Sequence, residues 1–408
     1  MENAQPIPFL KTRLSVQMFL QFAIWGAWVP VMGRHLQNLG FSGEQVGYVM
    51  TTGAIATMIS PLIGGQIVDR YFASQRYLAF SFIASAVMFV LAAVTTEYER
   101  MWWLALMAMI FFAPTLGLAN SLSFHHLPDA QRDFPKVRLW GTVGWIAAGL
   151  VLWAWLEITK RGIGDCLFIA AGFAVLNGIY CLTLPHTPPK KEAAEPFAVG
   201  KVLAMLKDPS FLVFNLLAFL LMMFATFYYF QSAMFLPTLG ITDQNLTLVL
   251  GTGQVLEILT MFALPWALRT LGTKYTIAIG LGAWSLRFFA FSLGSPAWLV
   301  VASQSLHGVA FAFALAGSMI YIEKISAPDV RGSMQSFLAF LTYGVGMFVG
   351  GIVGGKVNAH YTTKQLVNGE QVSVTDWSSV WLVPAIGCAA VTLVFLLAFT
   401  PRDSQKSA

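Results

Sequence analysis

The sequence predicts an all-α membrane protein with twelve transmembrane helices in two six-helix repeats. Three observations predict it. The 408-residue chain is 57% hydrophobic and only 11% charged, and its apolar residues fall in long blocks with few interior charges, the membrane pattern. Twelve such blocks approach or reach the length a helix needs to cross a hydrocarbon core of about 30 Å. The two sets of six then repeat in register at an offset of 200 residues, as Thr52-Gly53 against Thr252-Gly253 illustrates.

Met1 to Arg13 is a polar leader with no small-residue cleavage pattern, so no processing is expected. The first six spans are Leu14–Leu36, Val46–Val68, Tyr77–Thr96, Met101–Phe124, Leu139–Leu156 and Cys166–Leu184. The second six are Phe211–Leu236, Leu246–Leu268, Tyr275–Leu293, Trp298–Ile322, Phe337–Val357 and Val380–Phe399. Between the sets, Pro185 to Pro209 is the longest polar connector, with three prolines near its start and Lys190, Lys191, Lys201 and Lys207. Proline and charge exclude it from the membrane, which divides the chain into a bundle over 1–187, a linker over 188–209 and a bundle over 210–408. Lysine and arginine concentrate in the loops on the side of the termini and connector, so the positive-inside rule places both termini in the cytoplasm. The slightly basic balance lies in these short loops and requires no nucleic acid. Cys166, Cys181 and Cys388 lack metal-ligand spacing and read as buried small hydrophobes. The last outer loop, Asn358 to Ser379, is polar and fairly long, and its sequence assigns it no function.

The repeat continues through Gly117 and Gly317, Pro128-Asp129 and Pro328-Asp329, and Thr142-x-Gly144 and Thr342-x-Gly344. Parallel repeats of six helices characterise the major facilitator fold, whose site lies near the midplane. One stretch breaks the symmetry. In Gly251-Thr-Gly253-Gln254-Val-Leu-Glu257, the second half carries Gln254 and Glu257 where the first has Ala54 and Thr57. Glu257 is the one acid placed at mid-span, where a charge costs about 2.5–3.5 kcal/mol on insertion scales. Gly251 and Gly253 leave room for a second backbone. A hydrogen-bonded acid joining two helices is the packing alternative, but packing calls for symmetry and an asymmetric ligand does not.

Gly65-Gln-Ile-Val-Asp69-Arg70, followed by Arg76, resembles the loop motif of the facilitator superfamily. That resemblance implies a cytoplasmic gate at Gly65, Asp69, Arg70 and Arg76. Several stretches resemble the bacterial nucleoside–proton symporters of that superfamily. They are Phe19-Leu-Gln21-Phe-Ala-Ile-Trp25-Gly26-Ala-Trp28, Pro114-Thr-Leu-Gly117-Leu-Ala-Asn120 and Phe134-Pro-Lys-Val-Arg138-Leu-Trp140-Gly141-Thr142-Val-Gly144-Trp145. Gln254-Val-Leu-Glu257, Trp284-Ser-Leu-Arg287-Phe and Val374-Thr-Asp376-Trp377 follow in the same order. The resemblance implies a nucleoside site built from Arg138, Thr142 and Trp145 of the fifth span and Thr226 and Tyr229 of the seventh. Gln254 and Glu257 of the eighth and His307 and Phe311 of the tenth complete it. This chain has Ala312 where those symporters carry an acid, and His307 where they carry tyrosine. Both departures bear on proton coupling.

The residue types suit such a solute. Trp145 and Phe311 offer faces to a base, and Gln254 and Glu257 offer partners to sugar hydroxyls. Arg287 is placed deep in the ninth span, either pairing with Glu257 or holding backbone carbonyls. Arg138 stands at the mouth of the fifth span, facing the cavity or anchoring at the surface. His307 either titrates near neutrality or hydrogen-bonds as a neutral ring. The expectation is nucleoside import across a bacterial cytoplasmic membrane by proton symport, by a monomer without cofactor or metal, with Glu257 and His307 coupling the proton. A symporter or uniporter of another polar solute, such as a sugar, is the alternative. A membrane enzyme has no nucleophile–base pair to rest on, and a sensor no appended signalling domain.

Overall fold

The computed structural model describes residues 8–61, 63, 71–189, 205–326, 331–367 and 370–401. Among them, 10 helices are long and apolar enough to cross a membrane, and Asp165–Cys181 is a shorter apolar helix of 17 residues. The second span is helical over Gly43–Met50 and Thr52–Pro61. Gly65, Asp69 and Arg70 of the expected gate lie outside the described residues, as do Pro328-Asp329, Lys190, Lys191 and Lys201. Arg76 is exposed near the start of the third helix, Ser74–Ala93.

Helix starts follow local chemistry. The seventh helix, Pro209–Phe235, begins where Asp208 accepts from Phe211 N at 2.8 Å and Pro209 supplies a preset φ. The fifth runs over Ala130–Thr159 because Asp129 caps it, accepting from Arg132 N at 3.1 Å. This corrects the expected start at Leu139. The polar stretch before the apolar block is helical too, so Arg138 sits more than two turns inside the helix and not at its mouth. Pro30, which lacks an N–H, marks the break between Leu10–Trp28 and Met32–Asn38.

Two spans of the second half are irregular where their first-half counterparts are continuous helices. The tenth comprises Ala297–Ser303, Leu306–Val309, a π-helical turn at Ala310–Ala316 and Gly317–Ile325. The eleventh comprises Arg331–Ala339, a π-helical turn at Phe340–Gly346 and Met347–His360. Such turns occur frequently at functional sites. The loop before the last helix is no plain coil. Thr362–Val367 and Glu370–Thr375 pair as an antiparallel hairpin with Thr363 opposite Val374 and Gln365 opposite Val372, so the described residues are all-α apart from this ribbon.

Packing divides the chain into two compact units, 1–35 with 55–194, and 36–54 with 195–408. In the first unit, the first and fifth helices cross at backbone contact. A Cβ on Gly26 would lie 2.6 Å from the Trp145 carbonyl oxygen, and Gly144 abuts the Phe19 backbone. Small residues permit this approach. In the second unit, residues 43–50 pack on the eleventh span through glycines; a Cβ on Gly47 would lie 2.5 Å from the Gly351 oxygen. The three cysteines are buried and free.

Candidate functional site

The first unit brings together the paired motifs of the first and fifth helices. Arg138 lies over the Phe22 ring, 4.0 Å from its centroid. Gly141 makes the space, since a Cβ there would meet Arg138 Nη1 and Phe22 Cδ2 at 2.7 Å. One turn on, the Trp145 ring stands edge-on to Trp25 at 6.0 Å, and Trp25 contacts Phe112 at 5.9 Å. Thr142, on the same helix, is half-buried, as are Arg138 and Trp145. The result is an aromatic wall with one cation held against it. Behind it runs a buried polar ladder in which Gln17 Nε2 donates to Gln21 Oε1 at 2.6 Å and Gln21 Nε2 reaches Thr115 Oγ1 at 3.4 Å.

The second unit holds the stronger electrostatic feature. Two glycines let the eighth helix, Leu246–Thr270, cross the tenth span closely. A Cβ on Gly253 would meet His307 Cβ at 3.0 Å, and one on Gly308 would lie 2.7 Å from Glu257 N. Gly251, expected to share this role, has nothing within 4 Å of a built Cβ. The crossing sets Gln254 and Glu257 against His307, with Gln254 Nε2 at 3.1 Å and Glu257 Oε2 at 3.6 Å from His307 Nε2. The other ring nitrogen, Nδ1, lies 2.9 Å from Arg287 Nη1, and Arg287 Nη2 donates to Gln304 Oε1.

Arg287 is fully buried in the ninth helix, Gly272–Leu293. Its guanidinium stacks on Tyr228 of the seventh helix, 3.5 Å from the ring centroid, a cation–π contact that is strongest where water is excluded. Neither expected arrangement of Arg287 describes these contacts. Its two terminal nitrogens bind side chains of the tenth span, and His307 stands between it and Glu257. Arg287 Nε, Gln304 Nε2 and Trp284 Nε1 are buried donors without an acceptor among the described residues. Unsatisfied buried donors cost about 1–3 kcal/mol each, so the cluster is rich in donors that a polar ligand would satisfy.

Tyr229 and Phe311 border the same cluster, their rings 6.4 and 6.1 Å from His307. Thr226 does not join it. Its hydroxyl donates to the Met222 carbonyl of its own helix at 2.7 Å, and it packs beneath Gly350 of the eleventh span. Sequence reasoning missed Tyr228 and Trp284 as members. Trp284 stands one turn before Arg287, at three-residue spacing that puts both on one face, and this was the available signal. Ala312 lies with Leu264, Ala267 and Phe313 in an apolar cluster.

Comparison with known proteins gives these features a context. A family model described as "Nucleoside H+ symporter" matches residues 9–404. The putative nucleoside transporter YegT of Escherichia coli (strain K12) is 32% identical, covering 97% of this chain and 95% of that protein. The nucleoside permease NupG of the same strain is 30% identical, with 96% of each chain covered. A crystal structure of the nucleoside transporter NupG superposes with a TM-score of 0.84 over 97% of this chain and 100% of that one, at 29% identity. That of a D-xylose–proton symporter, at 14% identity and a TM-score of 0.71 over 96% of this chain and 98% of that one, shares the fold alone.

Proposed function

The chain belongs to the nucleoside H+ symporter family, and on that premise we propose that it imports nucleosides across a bacterial cytoplasmic membrane, coupled to protons. It is a multi-pass transporter of the major facilitator fold, not an enzyme. The observation that carries the proposal is the Glu257–His307–Arg287 cluster, a carboxyl and a buried cation joined through an imidazole in the middle of an apolar bundle. Polar groups kept inside a membrane at such cost mark solute and ion pathways.

In this reading, Gln254, Glu257 and the unsatisfied donors of the second unit engage the sugar hydroxyls and polar edges of a nucleoside. Phe311 and Tyr229 offer faces to its base. Arg138, Thr142 and Trp145 of the first unit are proposed as nucleoside contacts as well. Thr226, its hydroxyl bonded within its own helix, packs against Gly350 of the eleventh span and not against the ligand. Glu257 takes a proton from the outer side, admits the solute and releases the proton to the cytoplasm. Both termini are cytoplasmic and the monomer is the working unit. The loop charges support that orientation, and each chain carries its own candidate site.

Competition of labelled uridine uptake by a solute panel tests the substrate class. Nucleosides compete and free sugars do not. Absence of saturable uridine uptake, with labelled pentoses or hexoses carried instead, would move the protein to a sugar carrier on the same fold.

A further inference from the structure

We propose that Arg287 is a positioning residue that fixes His307 as the neutral tautomer with its hydrogen on Nε2. The histidine is then a permanent donor toward Glu257, and Glu257 alone takes and releases the proton. The inference rests on the reading of this cluster as the coupling site.

The argument is one of donors and acceptors. A neutral imidazole has one acceptor nitrogen, and an imidazolium has none. Nitrogens of two donor groups face the two ring nitrogens of His307. Arg287 Nη1 lies 2.9 Å from Nδ1, and Gln254 Nε2 lies 3.1 Å from Nε2. Both cannot donate to one neutral ring. Arginine has no acceptor atom to offer instead, whereas an amide presents its oxygen after a half-turn. The Arg287 contact therefore dictates the state of the ring. Nδ1 accepts and Nε2 carries the hydrogen, which then points at the Gln254 oxygen and at Glu257 Oε2, 3.6 Å away.

The surroundings reinforce the assignment. The titratable and charged groups facing the ring are Glu257 from the eighth helix, Arg287 from the ninth, and Tyr228 and Tyr229 from the seventh. Arg287 is 0% exposed and His307 1%. A proton added to Nδ1 would break the bond to the guanidinium and set two cations side by side where water cannot screen them. Glu257 is the facing group that can change charge without that conflict. His307 thus does what the tyrosine of the resembling symporters can do, donating one hydrogen without titrating.

Two measurements test this. Protein labelled with 15N-histidine, in lipid nanodiscs, reports the ring state directly, with His307 assigned by its loss in His307→Gln. The expected spectrum shows acceptor Nδ1 and protonated Nε2, unchanged from about pH 8 to about pH 5, the range in which an ordinary histidine converts. Protonation of both nitrogens in that range, or a hydrogen on Nδ1, would overturn the proposal. In vesicles, Arg287→Met frees Nδ1, so the pH profile of uptake gains a second ionisation that wild type lacks. Arg287→Lys, still a pure donor, keeps the single ionisation. A two-ionisation wild-type profile contradicts the proposal. If the methionine variant does not fold, the wild-type spectrum decides alone. Failure of the coupling reading itself shows separately, as retained accumulation in Glu257→Gln with the His307 spectrum unaltered.

Discussion

Gly308 is the residue on which the second-unit cluster turns, and Gly308→Ala is the perturbation that tests its geometry. A Cβ there would sit 2.7 Å from Glu257 N and from the carbonyl carbon and oxygen of Leu256. These are backbone atoms of a continuous helix and cannot swing aside. Ordinary contact begins at 3.4 Å, so the two helices must separate by 3.4 − 2.7 = 0.7 Å. Carried to the cluster, that shift lengthens the Gln254–His307 contact from 3.1 Å to about 3.8 Å, past the range of a hydrogen bond. Overpacking of this kind costs about 1–3 kcal/mol in stability. Gly251→Ala is the matched control. It adds the same methyl to the facing eighth helix, at a position where nothing lies within 4 Å, and replacing a helical glycine by alanine is favourable by about 1 kcal/mol. Concentrative uptake in vesicles, with thermal unfolding of the purified protein, gives the readout. Gly308→Ala loses accumulation and melts lower, while Gly251→Ala does neither. Equal behaviour of the two variants would refute the close crossing as the device that positions Glu257.

Trp145→Ala weakens nucleoside binding by about 1–3 kcal/mol, the scale of one lost base stack, measured as a shift in half-saturating solute; unchanged affinity would mean that the base stacks elsewhere. Ala312→Asp restores an acid where the resembling symporters carry one, but here the site is an apolar cluster with Leu264 and Phe313. The variant is therefore expected to lose folded protein, and a well-folded, more steeply pH-dependent transporter would contradict that. Asp376→Ala removes the cap of the last helix, where the carboxylate accepts from Ser379 N at 3.2 Å, and lowers stability by about 0.5–2 kcal/mol. The Ser379 hydroxyl and amide hold the Asp376 carboxyl below its ordinary range. The wild-type advantage is therefore present at neutral pH and disappears as pH falls through that lowered range, and melting curves at neutral and acid pH check both statements.

How much of this was legible in the sequence varies with the physics involved. Apolar blocks marked the spans because insertion depends on composition, and Glu257 stood out because a carboxyl in such a block is costly. The start of the fifth helix was misplaced because a cap at Asp129, not hydrophobicity, sets it. Tyr229 was named where Tyr228 carries the cation–π contact, since one residue is about 100° of helix rotation and an aromatic pair does not say which member faces inward. The break and π-turn of the tenth span had no local pattern in the sequence to announce them. The hairpin at 362–375 had a signal, the alternation of Val372 and Val374, obscured by the polarity of its other residues.

The central claim is that Glu257 couples solute movement to protons. One proton moving down about 100 mV supplies about 2.3 kcal/mol, enough for roughly 50-fold accumulation of a neutral solute. The decisive measurement is labelled nucleoside uptake into energised vesicles, with and without a proton gradient, in wild type and Glu257→Gln. The account predicts accumulation on that scale in wild type, its collapse when the gradient is dissipated, and equilibration without accumulation in the glutamine variant. Undiminished accumulation by Glu257→Gln, or wild-type accumulation indifferent to the gradient, would contradict it.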